Sequence, residues 1–175
     1  HPEVISAMHP YWSEMWGNAS SRNSRAGLQA SAAVCLAREN LASYLSIDPE
    51  RLIFTSGATE ANNLALLGYA RAQALELGKP GHLITVSTEH RSVRDPLGQL
   101  QREGFRLTEL KPSPDGILST KQLVEAFEDD TLLVSVMMAN NEIGVLQPLS
   151  EFSTICRDRG VRIHSDAAQA FGQFK

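Results

Sequence analysis

Four short stretches concentrate polar side chains that a plain connection between elements would not need: TSGATEANN at 55–63, TEHRS at 88–92, NNEIG at 140–144 and DAAQ at 166–169. Asp166 is the sharpest of these residues, because a carboxylate at the tip of a buried run is costly unless something positive meets it. Residues two apart share a strand face. Asp166 can therefore pair internally with Arg162 or His164, or it can hold a protonated ring nitrogen of a ligand while Gln169 binds an oxygen on the same ring. His90 reads either as a surface or capping histidine or as a flat ring that stacks on an aromatic cofactor, with a pKa suited to proton transfer. The adjacent amides Asn140 and Asn141 either satisfy loop backbone or bind a ligand oxygen.

In TSGATEANN, Gly57 lets the backbone turn tightly, and Ala58 and Thr59 then open a helix. Free N–H groups and the positive helix end would cradle a phosphate. The macrodipole contributes about 0.3–1 kcal/mol, and the Thr59 hydroxyl would add a hydrogen bond. The plainer alternative is a helix cap made by Ser56 or Thr59. No Walker lysine and no GxGxxG occurs, so a nucleotide site is not indicated.

The elements that would position these residues alternate. Apolar spacing predicts a helix over 24–46, a short strand at 51–55 (RLIFT) and a helix over 59–77 stopped by Gly78. Strands follow at 82–87, 105–110, 131–139 and 161–165, with helices at 92–103, 119–128 and from Pro148 to Gly160. Pro96 puts the first turn of the 92–103 helix in question. PSPDG at 112–116 is a turn cluster. Strand and helix in alternation predict a largely parallel α/β sheet covered on both faces. The four polar stretches then fall at the carboxyl rim of the sheet, where open α/β folds bind ligands.

Composition agrees with a globular chain. It has 175 residues, 42% hydrophobic and 21% charged, with a net charge of −4 and no basic run. This argues against nucleic acid and anionic membrane as partners, and no apolar stretch reaches the roughly 20 residues of a membrane span. Cys35 and Cys156 sit in helical patterns without CxxC spacing. A metal site or disulfide is not expected, each cysteine reads as a small buried apolar residue, and a reducing, cytoplasmic setting fits. The opening His1-Pro2 and the incomplete last unit suggest a piece of a longer protein.

Taken together, the chain resembles the pyridoxal-phosphate enzymes of the large aminotransferase-like fold, class V group, and within them the cysteine desulfurases that supply sulfur for iron–sulfur clusters. The resemblance spans nearly the whole chain and rests on GNASSRNSRAG (17–27), TSGATEANN (55–63), TEHRSVRDP (88–96), MMANNEIGVLQP (137–148) and HSDAAQA (164–170). It implies a three-layer α/β/α fold in which residues 1–175 form one partial, cofactor-binding large domain. Ala58 N–H and Thr59 would hold the pyridoxal 5'-phosphate phosphate. His90 would stack on the pyridine ring and move protons. Asn141 would lie near the ring oxygen and the substrate carboxylate, Asp166 would pair with the pyridinium nitrogen, and Gln169 would bind the phenolic oxygen.

The resemblance further implies L-cysteine as substrate, alanine and an enzyme persulfide as products, a homodimer, and an iron–sulfur scaffold or other sulfur acceptor as partner. The chain departs from the family pattern at Ala19 and Asn23, where the family has Pro and a later His. The family's Schiff-base lysine, persulfide-forming cysteine and carboxylate-binding arginine would lie beyond residue 175. Lys175 is too close to Gln169 to be that lysine, and neither Cys35 nor Cys156 matches the catalytic cysteine, so these residues alone are expected to be inactive. The rival readings are another class V enzyme (an aminotransferase, selenocysteine lyase or kynureninase), a non-catalytic assembly module, or a sugar or nucleotide binder that uses the phosphate cradle.

Overall fold

Four parallel strands organise the molecule: β1 (His82–Val86), β2 (Arg106–Leu110), β3 (Thr131–Ser135) and β4 (Arg162–His164), in the spatial order β2-β1-β3-β4. The computed structural model describes residues 1–173, so Lys175 lies outside the described residues. The chain divides into two compact units, His1–Phe54 and a second from Thr55 onward.

In the second unit, β1 and β3 lie at the centre and every one of their residues is buried. Their side chains alternate between two cores, as a strand covered on both faces requires. Leu83 and Leu133 pack with Leu66 and Ala70 of α3 (Ala58–Leu77) and with Val93, Leu97 and Leu100 of α4 (Arg91–Arg102). Ile84 and Val134 pack on the other face with Leu123 of α5 (Thr120–Ala126) and with Phe152 and Cys156 of α6 (Leu149–Asp158). Each fully buried Leu or Phe contributes about 1.5–3 kcal/mol. Local signals set the helix ends. Gly78 closes α3 in the left-handed conformation at φ 71°, and Ser119 with Gln122 forms a capping box at α5. The three-layer α/β/α arrangement expected from the alternation is observed.

The first unit holds α1 (Pro2–Ser13), α2 (Arg25–Leu45) and a 3-10 turn at Pro49–Arg51. Ser24 caps α2 by accepting from Gly27 N–H at 3.1 Å. Gly27 permits a close approach, since a Cβ there would sit 2.0 Å from the Ser21 carbonyl oxygen.

Three expectations are corrected. RLIFT at 51–55 is not a strand. Arg38 takes the Leu52 carbonyl and stacks over Phe54, 4.8 Å from the ring centroid, and Ile53 is 68% exposed rather than buried in a sheet. The strand expected over 131–139 ends at Ser135. Val136 and Met138 still donate to the carbonyls of His164 and Asp166, but the intervening Met137 N–H goes to the Glu89 side chain because β1 has already ended. Cys35 is exposed, whereas Cys156 is buried as expected, and burial pushes its thiol up to about 11.

Candidate functional site

The exits of β1, β3 and β4 and the amino end of α3 carry the polar residues singled out in the sequence. Asp166 follows β4 and is 4% exposed. Its Oδ1 accepts from Ala168 N–H at 3.0 Å, and its Oδ2 accepts from Asn62 Nδ2 at 2.8 Å. Neither Arg162 nor His164 forms an ion pair with it, and no cationic side chain lies within 4.0 Å of it among the described residues. A buried carboxylate with two N–H donors and no counter-ion is what a site for a cationic group requires.

Asn62 was not anticipated. It is 4% exposed and joins three elements. Its Nδ2 also donates to Ser92 Oγ at 2.9 Å, and its Oδ1 meets His164 Nε2 at 3.2 Å. Ser92 Oγ lies 2.8 Å from His90 Nδ1, and Ser92 N–H donates to the same nitrogen at 3.1 Å. Asp166, Asn62, Ser92 and His90 thus form one hydrogen-bonded chain. His90 does cap α4, but the cap uses Nδ1 alone and the residue stays exposed. A signal for Asn62 existed: with Leu66 and Ala70 it makes the buried stripe of α3, and an amide on such a stripe demands partners.

Glu89 is a second unanticipated residue. Its Oε1 accepts from Met137 N–H, while Oε2 is buried without a partner among the described residues. It borders a gap, lined also by Val86, Thr88, Val136 and Met137, with no room for a water molecule. Burial pushes its carboxyl up to about 7; the Met137 N–H opposes this and the Asp166 charge adds to it.

The two adjacent amides have separate situations. Asn140 is structural: its Nδ2 donates to the Thr88 carbonyl at 2.7 Å, and its Oδ1 accepts from the N–H groups of Glu142 and Ile143. Asn141 and Gln169 are exposed, with no side-chain partner among the described residues.

At α3, the cap reading is corrected. The N-cap is Gly57, with no side-chain cap bond, so neither Ser56 nor Thr59 caps the helix. Ser56 instead donates through N–H and Oγ to Glu60. Gly57 is extended at φ 160°, and a Cβ there would meet nothing within 4 Å. The chain bends at Ser56 and Gly57 as it enters α3, and the absence of a Cβ there leaves open space. The Ala58 and Thr59 N–H groups have no acceptor among the described residues, so the helix end is free to receive an anion.

The parallel sheet, covered on both faces by helices, defines an α/β protein. The sequence model of Aminotransferase class-V matches residues 1–175, and the chain belongs to that family of pyridoxal-phosphate-dependent proteins. Among curated relatives, cysteine desulfurase IscS of Rickettsia felis is 47% identical over 98% of this chain and 41% of its own length. The protein of the same name from Dechloromonas aromatica is 45% identical, over 98% of this chain and 42% of its own. The solved structure of SspA in complex with cysteine superposes with TM-score 0.89 at 36% identity, covering 98% of this chain and 48% of that one. DndA from Streptomyces lividans gives 0.84 at 41% identity, covering 98% and 46%. The chain therefore spans about two fifths of the curated relatives it matches. Among the described residues, no helix is long and apolar enough to cross a membrane.

Proposed function

We propose that this chain is the amino-terminal part of the cofactor-binding domain of a cytoplasmic cysteine desulfurase. The enzyme would take sulfur from L-cysteine, leaving L-alanine and an enzyme persulfide that passes to an iron–sulfur scaffold or another sulfur acceptor. The observation that carries the reading is Asp166: buried, held by two N–H groups and meeting no cation among the described residues. Free N–H groups at the amino end of α3 support it, as does the likeness to cysteine desulfurases.

Pyridoxal phosphate, when bound, supplies an electron sink for bonds at the substrate's α-carbon. The chain's own residues do the rest. The Asp166 carboxylate holds a proton at the ring nitrogen. Ala58 and Thr59 bind the phosphate with N–H groups and the Thr59 hydroxyl. Gln169 and Asn141, each with donors and an acceptor, orient the ring oxygen and the substrate carboxylate, and His90 covers the ring and moves protons through Nε2. The 175 residues are one partial domain, the active protein is a homodimer, and the isolated chain is inactive.

The test is turnover of L-cysteine by the full-length protein loaded with pyridoxal phosphate. Equal amounts of alanine and protein-bound sulfur are expected, with none from residues 1–175 alone. Preference for selenocysteine or for amino-group transfer to a keto acid would overturn the assignment, as would turnover by the isolated chain at the full-length rate.

A further inference from the structure

The hydrogen-bonded chain from Asp166 to His90 has only one consistent direction. A carboxylate accepts and cannot donate, so Asn62 must present its NH2 group to Asp166 Oδ2. The second hydrogen of that group points at Ser92 Oγ. The Asn62 oxygen can only accept, so His164 carries its proton on Nε2. Burial holds the His164 pKa below its ordinary value, against the pull of Asp166, so the ring is neutral and its bare Nδ1 accepts from Ser135 Oγ at 2.9 Å. At the other end, the Ser92 backbone N–H has one possible role toward His90 Nδ1, that of donor. His90 Nδ1 is therefore unprotonated. Ser92 Oγ, already accepting from Asn62, turns its own hydrogen to the same nitrogen.

We propose that Asn62 and Ser92 are positioning residues that fix His90 as the Nε2-protonated tautomer, so that it meets a bound group first as a proton donor and only after losing that proton as a base. Nδ1 is doubly occupied by donors from Ser92, and Nε2 has no partner among the described residues. Because the orienting amide also holds Asp166, the group proposed to keep the proton on the cofactor ring nitrogen and the group proposed to move protons above it are set by one side chain. The catalytic meaning rests on the proposed cofactor site; the tautomer itself does not.

The test is 15N NMR of the full-length protein with labelled histidine, which reads the two tautomers directly. The wild type is expected to show His90 with a pyrrole-type Nε2 and a bare Nδ1. Ser92→Ala keeps the backbone donor and removes the hydroxyl, and is expected to shift the tautomer ratio toward Nδ1–H by about fivefold, the effect of one neutral hydrogen bond. Asn62→Leu is expected to shift it the same way by less; should that variant misfold, Ser92→Ala decides alone. A protonated Nδ1 in the wild type, or an unchanged ratio in Ser92→Ala, would overturn the proposal. Loss of the desulfurase reading would leave the NMR result standing, so the two failures are distinguishable.

Discussion

At the amino end of the sheet, His82 is fully buried and both ring nitrogens are engaged: Nδ1 lies 2.8 Å from Thr131 Oγ1 and Nε2 lies 2.9 Å from Thr108 Oγ1. Thr131 Oγ1 also accepts from Glu128 N–H, and Arg106 joins Glu128 and Asp130 nearby. At the carboxyl end, among the described residues, Asp166 is also buried but meets no cation, Glu89 has one oxygen without a partner, and Asn141 and Gln169 have no side-chain partners. The same sheet thus satisfies polar groups at one end and leaves them wanting at the other. A satisfied buried network rigidifies a fold; an unsatisfied one keeps its interaction energy for a ligand.

Substitution of Asp166 should break the carboxyl side of this contrast most severely. In the full-length protein, Asp166→Asn keeps the shape and removes the charge, and equilibrium dialysis should show pyridoxal phosphate affinity reduced about 10²- to 10³-fold, the scale of losing one partner of a buried ion pair.

Glu89 gives the next largest effect, read through pH. Its carboxyl is held at about 7 against an ordinary 4.5, so the fold binds a proton that the unfolded chain has already released between those values. The stabilising contribution is complete below pH 4.5 and is lost as pH rises through about 7. Glu89→Gln mimics the protonated form. Denaturation of the cofactor-free full-length protein should show the variant gaining on wild type by on the order of 3 kcal/mol across that window. A difference that stays flat with pH would mean that Glu89 is ionised throughout.

The smallest effect belongs to the amino end. His82→Leu strands the Thr108 hydroxyl, leaves Thr131 with the Glu128 N–H alone, and should lower stability by about 1–3 kcal/mol without changing cofactor affinity. A loss of affinity there would erase the contrast between the two ends.

Much of this arrangement is legible in the sequence. The runs that became β1 and β3 are apolar throughout because helices cover both faces, and Gly78 and Ser119 punctuate helices by ordinary end chemistry. RLIFT misleads because a short apolar run carries no information about whether a neighbouring strand exists to pair with it; its Phe54 serves Arg38 instead. At the rim, Asp166 and His90 stand out because a charge or an imidazole beside a buried strand is rare. Asn62, Ser92 and Glu89 do not, because their importance lies in what they touch across 104, 30 and 48 residues of chain, and local spacing does not carry such contacts. For the adjacent amides, spacing could not say which was structural; only the bonds made by Asn140 separate it from Asn141.

The central claim is that the rim holds a positively charged ring against Asp166. Pyridoxal phosphate labelled with 15N at the ring nitrogen, bound to the full-length protein, tests it directly. The account predicts a protonated ring nitrogen at neutral pH that loses its proton in Asp166→Asn; a bare nitrogen in the wild type, or one indifferent to the substitution, would contradict it.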